Sequence, residues 1–240
     1  MKIFGKTDIG LVRSSNQDAF RIGKFDSGTV WAVLCDGMGG ASGGDIASKM
    51  AVDLIAERIL GNYNDNMKTS SVANLLESAI NFASIKIFDI AREDETLSGM
   101  GTTVVAAVIR DGEAMISHAG DSRAYIIGED IRLVTTDHSI VQEMLDRGEI
   151  TEEEAKHHPI KNYITRALGV KDRISVDFTT EDFGEDDILL MCSDGFSNMI
   201  ESDSLKELIK CADDDTCKKL VDTANSNGGK DNITVVIASY

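Results

Sequence analysis

Short runs rich in Val, Ile and Thr recur along the chain, and the pattern predicts strands at residues 3–8, 18–22, 30–35, 102–109, 114–118, 124–127, 174–178, 188–192 and 233–238. Asp111-Gly112 separates two of these runs and signals a tight hairpin; Gly128-Glu129-Asp130 signals another. Apolar positions then change period. Val72, Leu75, Leu76, Ala79, Ala83 and Ile87 fall on one face of a helix spanning about 71–92, and a second long helix is predicted over about 45–60. Shorter helices are expected near 140–147, 204–211 and 216–225. Strands joined by hairpins, with helices placed in pairs, predict an α+β fold of antiparallel sheets covered by helices. The strict strand–helix alternation of a parallel sheet is missing.

Nothing divides the 240 residues: there is no linker-like Pro, Gly or Ser tract, no fixed repeat and a single proline, Pro159, so one domain over 1–240 is expected. A content of 42% hydrophobic and 27% charged residues suits a globular protein with its own core. The formal net charge of -17 excludes a nucleic-acid partner, because such a surface repels phosphates, and it favours counter-cations. The N-terminus lacks a continuous apolar core of signal-peptide length, and apolar stretches such as 104–109 are too short to span a bilayer. Cys35 and Cys192 lie in apolar runs, and Cys211 and Cys217 are not spaced as a zinc knuckle. Reduced thiols and a cytoplasmic location, with no membrane partner, are therefore expected.

Where certain aspartates fall changes this picture. Asp36 and Asp194 each follow an apolar strand and precede a glycine; Asp231 precedes Asn232 and the last strand; Asp18 lies in Asn16-Gln17-Asp18 and Asp121 in Gly120-Asp121-Ser122-Arg123. Two carboxylates about 4 Å apart repel by about 4 kcal/mol at an effective dielectric of 20. Five converging on one place require protons or cations, and hard divalent metals with oxygen ligands answer that need. With no thiolate or imidazole in these motifs, magnesium or manganese is favoured over zinc. An Asp-Gly pair is first of all a turn, and Asp111-Gly112 is read as only that. The flanks Met38-Gly39-Gly40 and Phe196-Ser197 set the other two pairs apart.

Together these stretches resemble the metal-dependent serine/threonine phosphatases of the PPM (type 2C) family, in particular its small bacterial members. The resemblance rests on Arg13 with Asn16-Gln17-Asp18-Ala19, Cys35-Asp36-Gly37-Met38-Gly39-Gly40, Met100-Gly101-Thr102-Thr103, Gly120-Asp121-Ser122-Arg123-Ala124-Tyr125, Thr165-Arg166-Ala167-Leu168-Gly169, Cys192-Ser193-Asp194-Gly195-Phe196 and Gly228-Gly229-Lys230-Asp231-Asn232-Ile233-Thr234, in the family's order across nearly the whole chain. It implies a four-layer α/β/β/α sandwich, two antiparallel sheets flanked by helix pairs, with metals in a cleft at one end. It implies two or three divalent cations, Mn2+ or Mg2+. Asp36 would bridge two of them, Asp194 and Asp231 would complete one site, and Asp18 with the Gly37 carbonyl the other. Asp121, with Asp194, would hold a third. Arg13 would bind the substrate phosphate, its planar donors matching the oxyanion, and Asn232 would orient its neighbours. The implied chemistry is in-line attack on phosphorus by a hydroxide bridging two metals, with Arg13 and Asp36 as catalytic residues and no covalent intermediate. Many eukaryotic members carry a histidine where this chain has Met38, which leaves the general acid unassigned.

The implied partners are phosphorylated proteins, with a serine/threonine kinase as functional counterpart and the enzyme as a monomer. Residues 137–169 contain Asp137-His138-Ser139, an acidic run over 149–154 and His157-His158-Pro159. Adjacent histidines do not share a helical face, so this pair reads as solvated loop, and the resemblance makes the segment a mobile flap beside the cleft. His118, late in a strand, reads as a satisfied core histidine. Two other functions stay open: a partner-switch phosphatase for one small regulatory protein, whose members often lack the arginine and the flap, and an inactive phosphoprotein-binding module, against which the intact aspartates speak.

Overall fold

The strand β3 (Val30–Met38) shows how the layers arise. Val30, Ala32 and Leu34 point to one side of its sheet and Trp31, Val33 and Cys35 to the other, and all six are buried. A strand apolar on both faces must be covered on both. In the computed structural model, which describes residues 1–39 and 43–240, it is. Gly40, the end of the first aspartate motif, lies outside the described residues.

One sheet runs in the order β2 (Asp18–Lys24), β3, β5 (Val104–Arg110), β6 (Glu113–Ala119) and β9 (Asp177–Asp182), with the two-residue β4 (Gly101–Thr102) beside the end of β3. The other runs β1 (Lys2–Asp8), β11 (Ile233–Ser239), β10 (Ile188–Cys192), β7 (Arg123–Ile127) and β8 (Ile131–Leu133). The named strand pairs are antiparallel. Between the sheets, Leu34, Val105, Ile116, Ile126, Leu189 and Val236 interdigitate. Outside the first sheet lie α1 (Gly44–Asn62) and α2 (Thr69–Glu93), which bury Ile55, Ile59, Leu76 and Ile80 against Trp31 and Val33. Outside the second lie α5 (Asp194–Ser197), α6 (Leu205–Leu208) and α7 (Asp214–Ser226), packed through Phe196, Leu205, Leu220 and Val221. The result is the expected four-layer α/β/β/α sandwich. Asp111 (φ 49°) and Gly112 (φ 82°) form the tight β5–β6 turn, whose Gly112 N–H donates to Tyr240 Oη and whose Gly112 carbonyl accepts the Phe183 N–H, both at 2.8 Å.

Several elements differ from the sequence pattern. Of the run at 174–178 only Asp177 and Phe178 lie in a strand. Ile174 and Val176 pack against the α1–α2 core from irregular chain, and the pairing segment is the polar β9, whose Asp177 to Asp182 sit opposite His118 to Glu113. The run at 102–109 breaks at Thr103, and the helix expected over 204–211 shortens to α6. Within 137–169 stand α3 (Ile140–Asp146) and α4 (Glu152–Lys156). The acidic run starts α4, where Thr151 and Glu154 form a reciprocal capping box and three glutamates face the positive helix end.

Candidate active site

The aspartates come from strand ends of both sheets. Asp18 opens β2 and lies opposite Asp36 in the β2–β3 register, while Asp194 begins α5 just after β10 and Asp231 precedes β11. Hydrogen bonds stitch the two sheets together here. One oxygen of Asp18 accepts from Ser193 Oγ and from Thr234 Oγ1, both at 2.7 Å. Asn232 accepts the Gln17 amide at 2.8 Å and donates to the carbonyls of Ile9 and Ser15, and its own N–H donates to Asp231. Asp36 is fixed through its backbone: its N–H donates to Thr103 Oγ1 at 3.0 Å and its carbonyl accepts the Thr103 N–H at 2.9 Å. Thr103 Oγ1 also meets Ser122 Oγ at 2.8 Å, tying Asp36 to the loop that carries Asp121. Arg13, exposed, reaches over the group to donate to Asp231 at 2.7 Å.

The structure thus brings Asp18, Asp36, Asp121, Asp194 and Asp231 into one acidic cluster, with Arg13 at its rim. Burial, reinforced by Asp194 and Asp231, pushes the Asp18 carboxyl up to about 7, against the pull of its Thr234 and Ser193 bonds. Asp36 is driven well above the usual carboxylate range by burial and then by Asp18, Asp194, Asp121 and Asp231. Burial and Asp194 push Asp121 up to about 8. Burial and Asp231 raise Asp194, while hydrogen bonding with Asp36 and the charges of Arg13 and Arg123 oppose them. Burial therefore favours the protonated form of Asp18 and Asp121 up to near-neutral pH. Positive charge delivered to the cluster would release the protons.

Two features fit divalent ions. The second oxygen of Asp18 is buried without any partner, an acceptor left bare in a residue only 5% exposed. At Gly37 the backbone is crowded: a Cβ would lie 2.0 Å from the Gly44 carbonyl oxygen and 2.7 Å from that of Gln17, so only glycine lets this stretch close on the cluster. Gly195 is similar, with a Cβ position 2.0 Å from the Asn232 carbonyl oxygen. We expect Gly195→Ala to push α5 away from Asp231 and to cost about 1–3 kcal/mol, a fall of roughly 2–12 °C in Tm. Gly61→Ala is the control, because nothing lies within 4 Å of its Cβ position late in α1, and it should be neutral or stabilising. Thermal unfolding followed by circular dichroism checks both. An unchanged Tm for Gly195→Ala would show that the close approach carries no cost.

A second group of donors lies nearby. Among the described residues, ligand atoms of His118, His138 and Asp177 fall within 4.8 Å of one another. His118 is buried, as expected of a core histidine, but only half satisfied: Nε2 bonds the Thr136 carbonyl at 2.9 Å while Nδ1 has no partner. His138 Nδ1 accepts the Gly120 N–H at 3.1 Å, so its proton sits on Nε2, facing Asp177 at 3.2 Å. That tautomer has no free lone pair to offer a metal. The His157-His158 pair is peripheral, with His157 exposed beside Glu153.

The family model for protein phosphatase 2C matches residues 12–225. The chain belongs to the protein phosphatase 2C family. It is 38% identical over 242 residues to protein phosphatase PhpP of Streptococcus pneumoniae, covering 100% of this chain and 97% of that one. Among solved structures it is similar to serine/threonine phosphatase Stp1 from Staphylococcus aureus, with TM-score 0.93, 33% identity and coverage of 100% and 94%. It is also similar to the catalytic domain of serine/threonine protein phosphatase PstP in complex with two manganese ions, with TM-score 0.83, 28% identity and coverage of 99% and 97%. In this phosphatase 2C chain, sequence reasoning missed the residues that hold the aspartates: Thr103, Ser193 and Thr234. Ser193 and Thr234 stand close to Asp194 and Asp231 in their motifs, whereas Thr103 stands in the aspartate-free Met100-Gly101-Thr102-Thr103, so membership of a motif is the only signal all three carry.

Proposed function

We propose that the acidic cluster holds two or three divalent cations, manganese or magnesium, and that with them the chain hydrolyses phosphoserine and phosphothreonine in proteins. Asp36 would bridge two ions, Asp194 and Asp231 would complete one site, Asp18 and the Gly37 carbonyl the other, and Asp121 with Asp194 a third. The observation that carries the reading is the convergence of five carboxylates, one of them with a bare buried oxygen. Bound ions would supply water activated near neutral pH and positive charge for the phosphoryl oxygens. The chain's own residues do the rest. Thr103 keeps Asp36 in place, Ser193 and Thr234 hold one oxygen of Asp18, and Arg13, which donates to Asp231, would bind the substrate phosphate. A cysteine nucleophile is disfavoured, because Cys35 and Cys192 are buried thiols whose ionisation is suppressed, Cys192 pushed up to about 12 by burial. Purified protein should hydrolyse p-nitrophenyl phosphate with added manganese and lose that activity on chelation. Equal rates with and without chelator would refute the reading.

No helix among the described residues is long and apolar enough to cross a membrane. We place the phosphatase in the cytoplasm as a single-domain monomer, opposing a bacterial serine/threonine kinase. Residues 137–169 act in this reading as a flap that shapes access for protein substrates. Its tip, between α3 and α4 and beyond, is largely exposed. Amides of 147–163 should exchange with solvent far faster than those of β3, β5 and β10. Exchange as slow as in those strands would remove the flap.

A further inference from the structure

We propose that His138 is a positioning residue for Asp121, clamping the Gly120 peptide from the base of the flap; this rests on the reading of Asp121 as a metal ligand. His138 grips Gly120 at two points. Its backbone N–H donates to the Gly120 carbonyl at 2.9 Å, and its ring Nδ1 accepts the Gly120 N–H at 3.1 Å. On the other side Gly120, at φ 118°, presses on Thr103, where a Cβ would lie 2.6 Å away. The backbone leading into Asp121 is therefore pinned between His138 and the threonine that anchors Asp36. The ring itself is locked. His118 stacks on it with centroids 4.6 Å apart and planes within 10°, and its Nε2 proton is held by Asp177, which also accepts from Arg166 at 2.5 Å. Arg166 lies at the end of the flap segment, and the same stretch bonds back to this hub, Thr165 N–H to the His138 carbonyl at 2.8 Å and Ile140 N–H to the Tyr163 carbonyl at 3.0 Å. A shift of the flap base would move the ring, and the ring would move the peptide that aims Asp121. Groups that orient a ligand commonly govern metal affinity by 10–100-fold.

The test uses the whole chain and manganese alone. In calorimetric titration, the step abolished by Asp121→Asn defines the site in question. His138→Leu, which removes the ring acceptor, should weaken that step about 10–100-fold, leave the other steps unchanged and speed hydrogen exchange at the Gly120 amide. His138→Asn places an acceptor where Nδ1 stands and should restore both, to within about threefold of the wild type. Asp177→Asn, remote from the peptide, guards against misfolding of the leucine variant and should shift the same step alone. A wild-type titration with no step sensitive to Asp121→Asn overturns the reading of Asp121 and this one with it. An Asp121-dependent step that His138→Leu leaves in place, or that His138→Asn fails to restore, overturns the clamp alone.

Discussion

Asp36→Asn should lower turnover of p-nitrophenyl phosphate by at least about a thousandfold, the upper end of what loss of one preorganised electrostatic group costs, while making the metal-free protein more stable. The side chain is nearly isosteric, and the bonds that hold this position, to and from Thr103, run through the Asp36 backbone, so they survive the substitution. What disappears is a carboxyl whose ionised form is disfavoured in the fold by burial and then by Asp18, Asp194, Asp121 and Asp231, yet is free to ionise in the unfolded chain. The neutral amide carries no such penalty, which favours the folded apo protein. In the metal-loaded protein the substitution takes away the negative charge of the proposed bridging group. Opposite signs for activity and apo stability separate a binding site from a structural acid, whose loss would lower both. Melting temperature with chelator and initial rate with manganese, measured on one preparation, decide it; undiminished turnover would end the case for this site.

Much of this was legible in the chain. Two long helices follow from apolar positions three and four apart, and the inner strands from runs apolar on both faces, as in β3. The five aspartates and Arg13 stand out through their motifs, and the structure brings them together. Legibility ended where structure depends on partners far apart in sequence. Ser193 and Thr234 hold Asp18 across 175 and 216 residues, and no local pattern encodes such a bond. β9 was missed because an exposed edge strand, Asp-Phe-Thr-Thr-Glu-Asp, carries almost no apolar alternation, while Ile174 and Val176 mimic a strand and serve only as packing. α4 is a different failure. Thr151 and Glu154 are spaced as a capping box, a local signal present in the sequence but hidden under the charge of the acidic run.

The polar stitching of the sheets also sets how stability should respond to pH once metal is removed. Burial pushes the Asp18 carboxyl up from an ordinary 3.8 to about 7 on folding. The folded state holds its proton more tightly, so Asp18 favours folding fully below pH 3.8, and this contribution is lost as pH rises through about 7. Over that window the loss is at most about 4 kcal/mol, a fall of roughly 8–16 °C in Tm for a chain of this size. Asp121, raised to about 8, extends the same trend upward. Cations favour the carboxylate and bind more strongly as protons leave, so the stabilisation given by manganese should grow between pH 5 and pH 8. Asp18→Asn isolates the cause. Its amide oxygen can still accept from Ser193 and Thr234, yet it cannot ionise, so the chelated variant should lose most of this slope and outlast the wild type at pH 8. The measurement is Tm against pH, with chelator and with saturating manganese, for both proteins. A chelated wild type that gains stability from pH 5 to pH 8, or a variant with an unchanged slope, would mean that Asp18 keeps its charge without an ion and that its buried oxygen was never waiting for one.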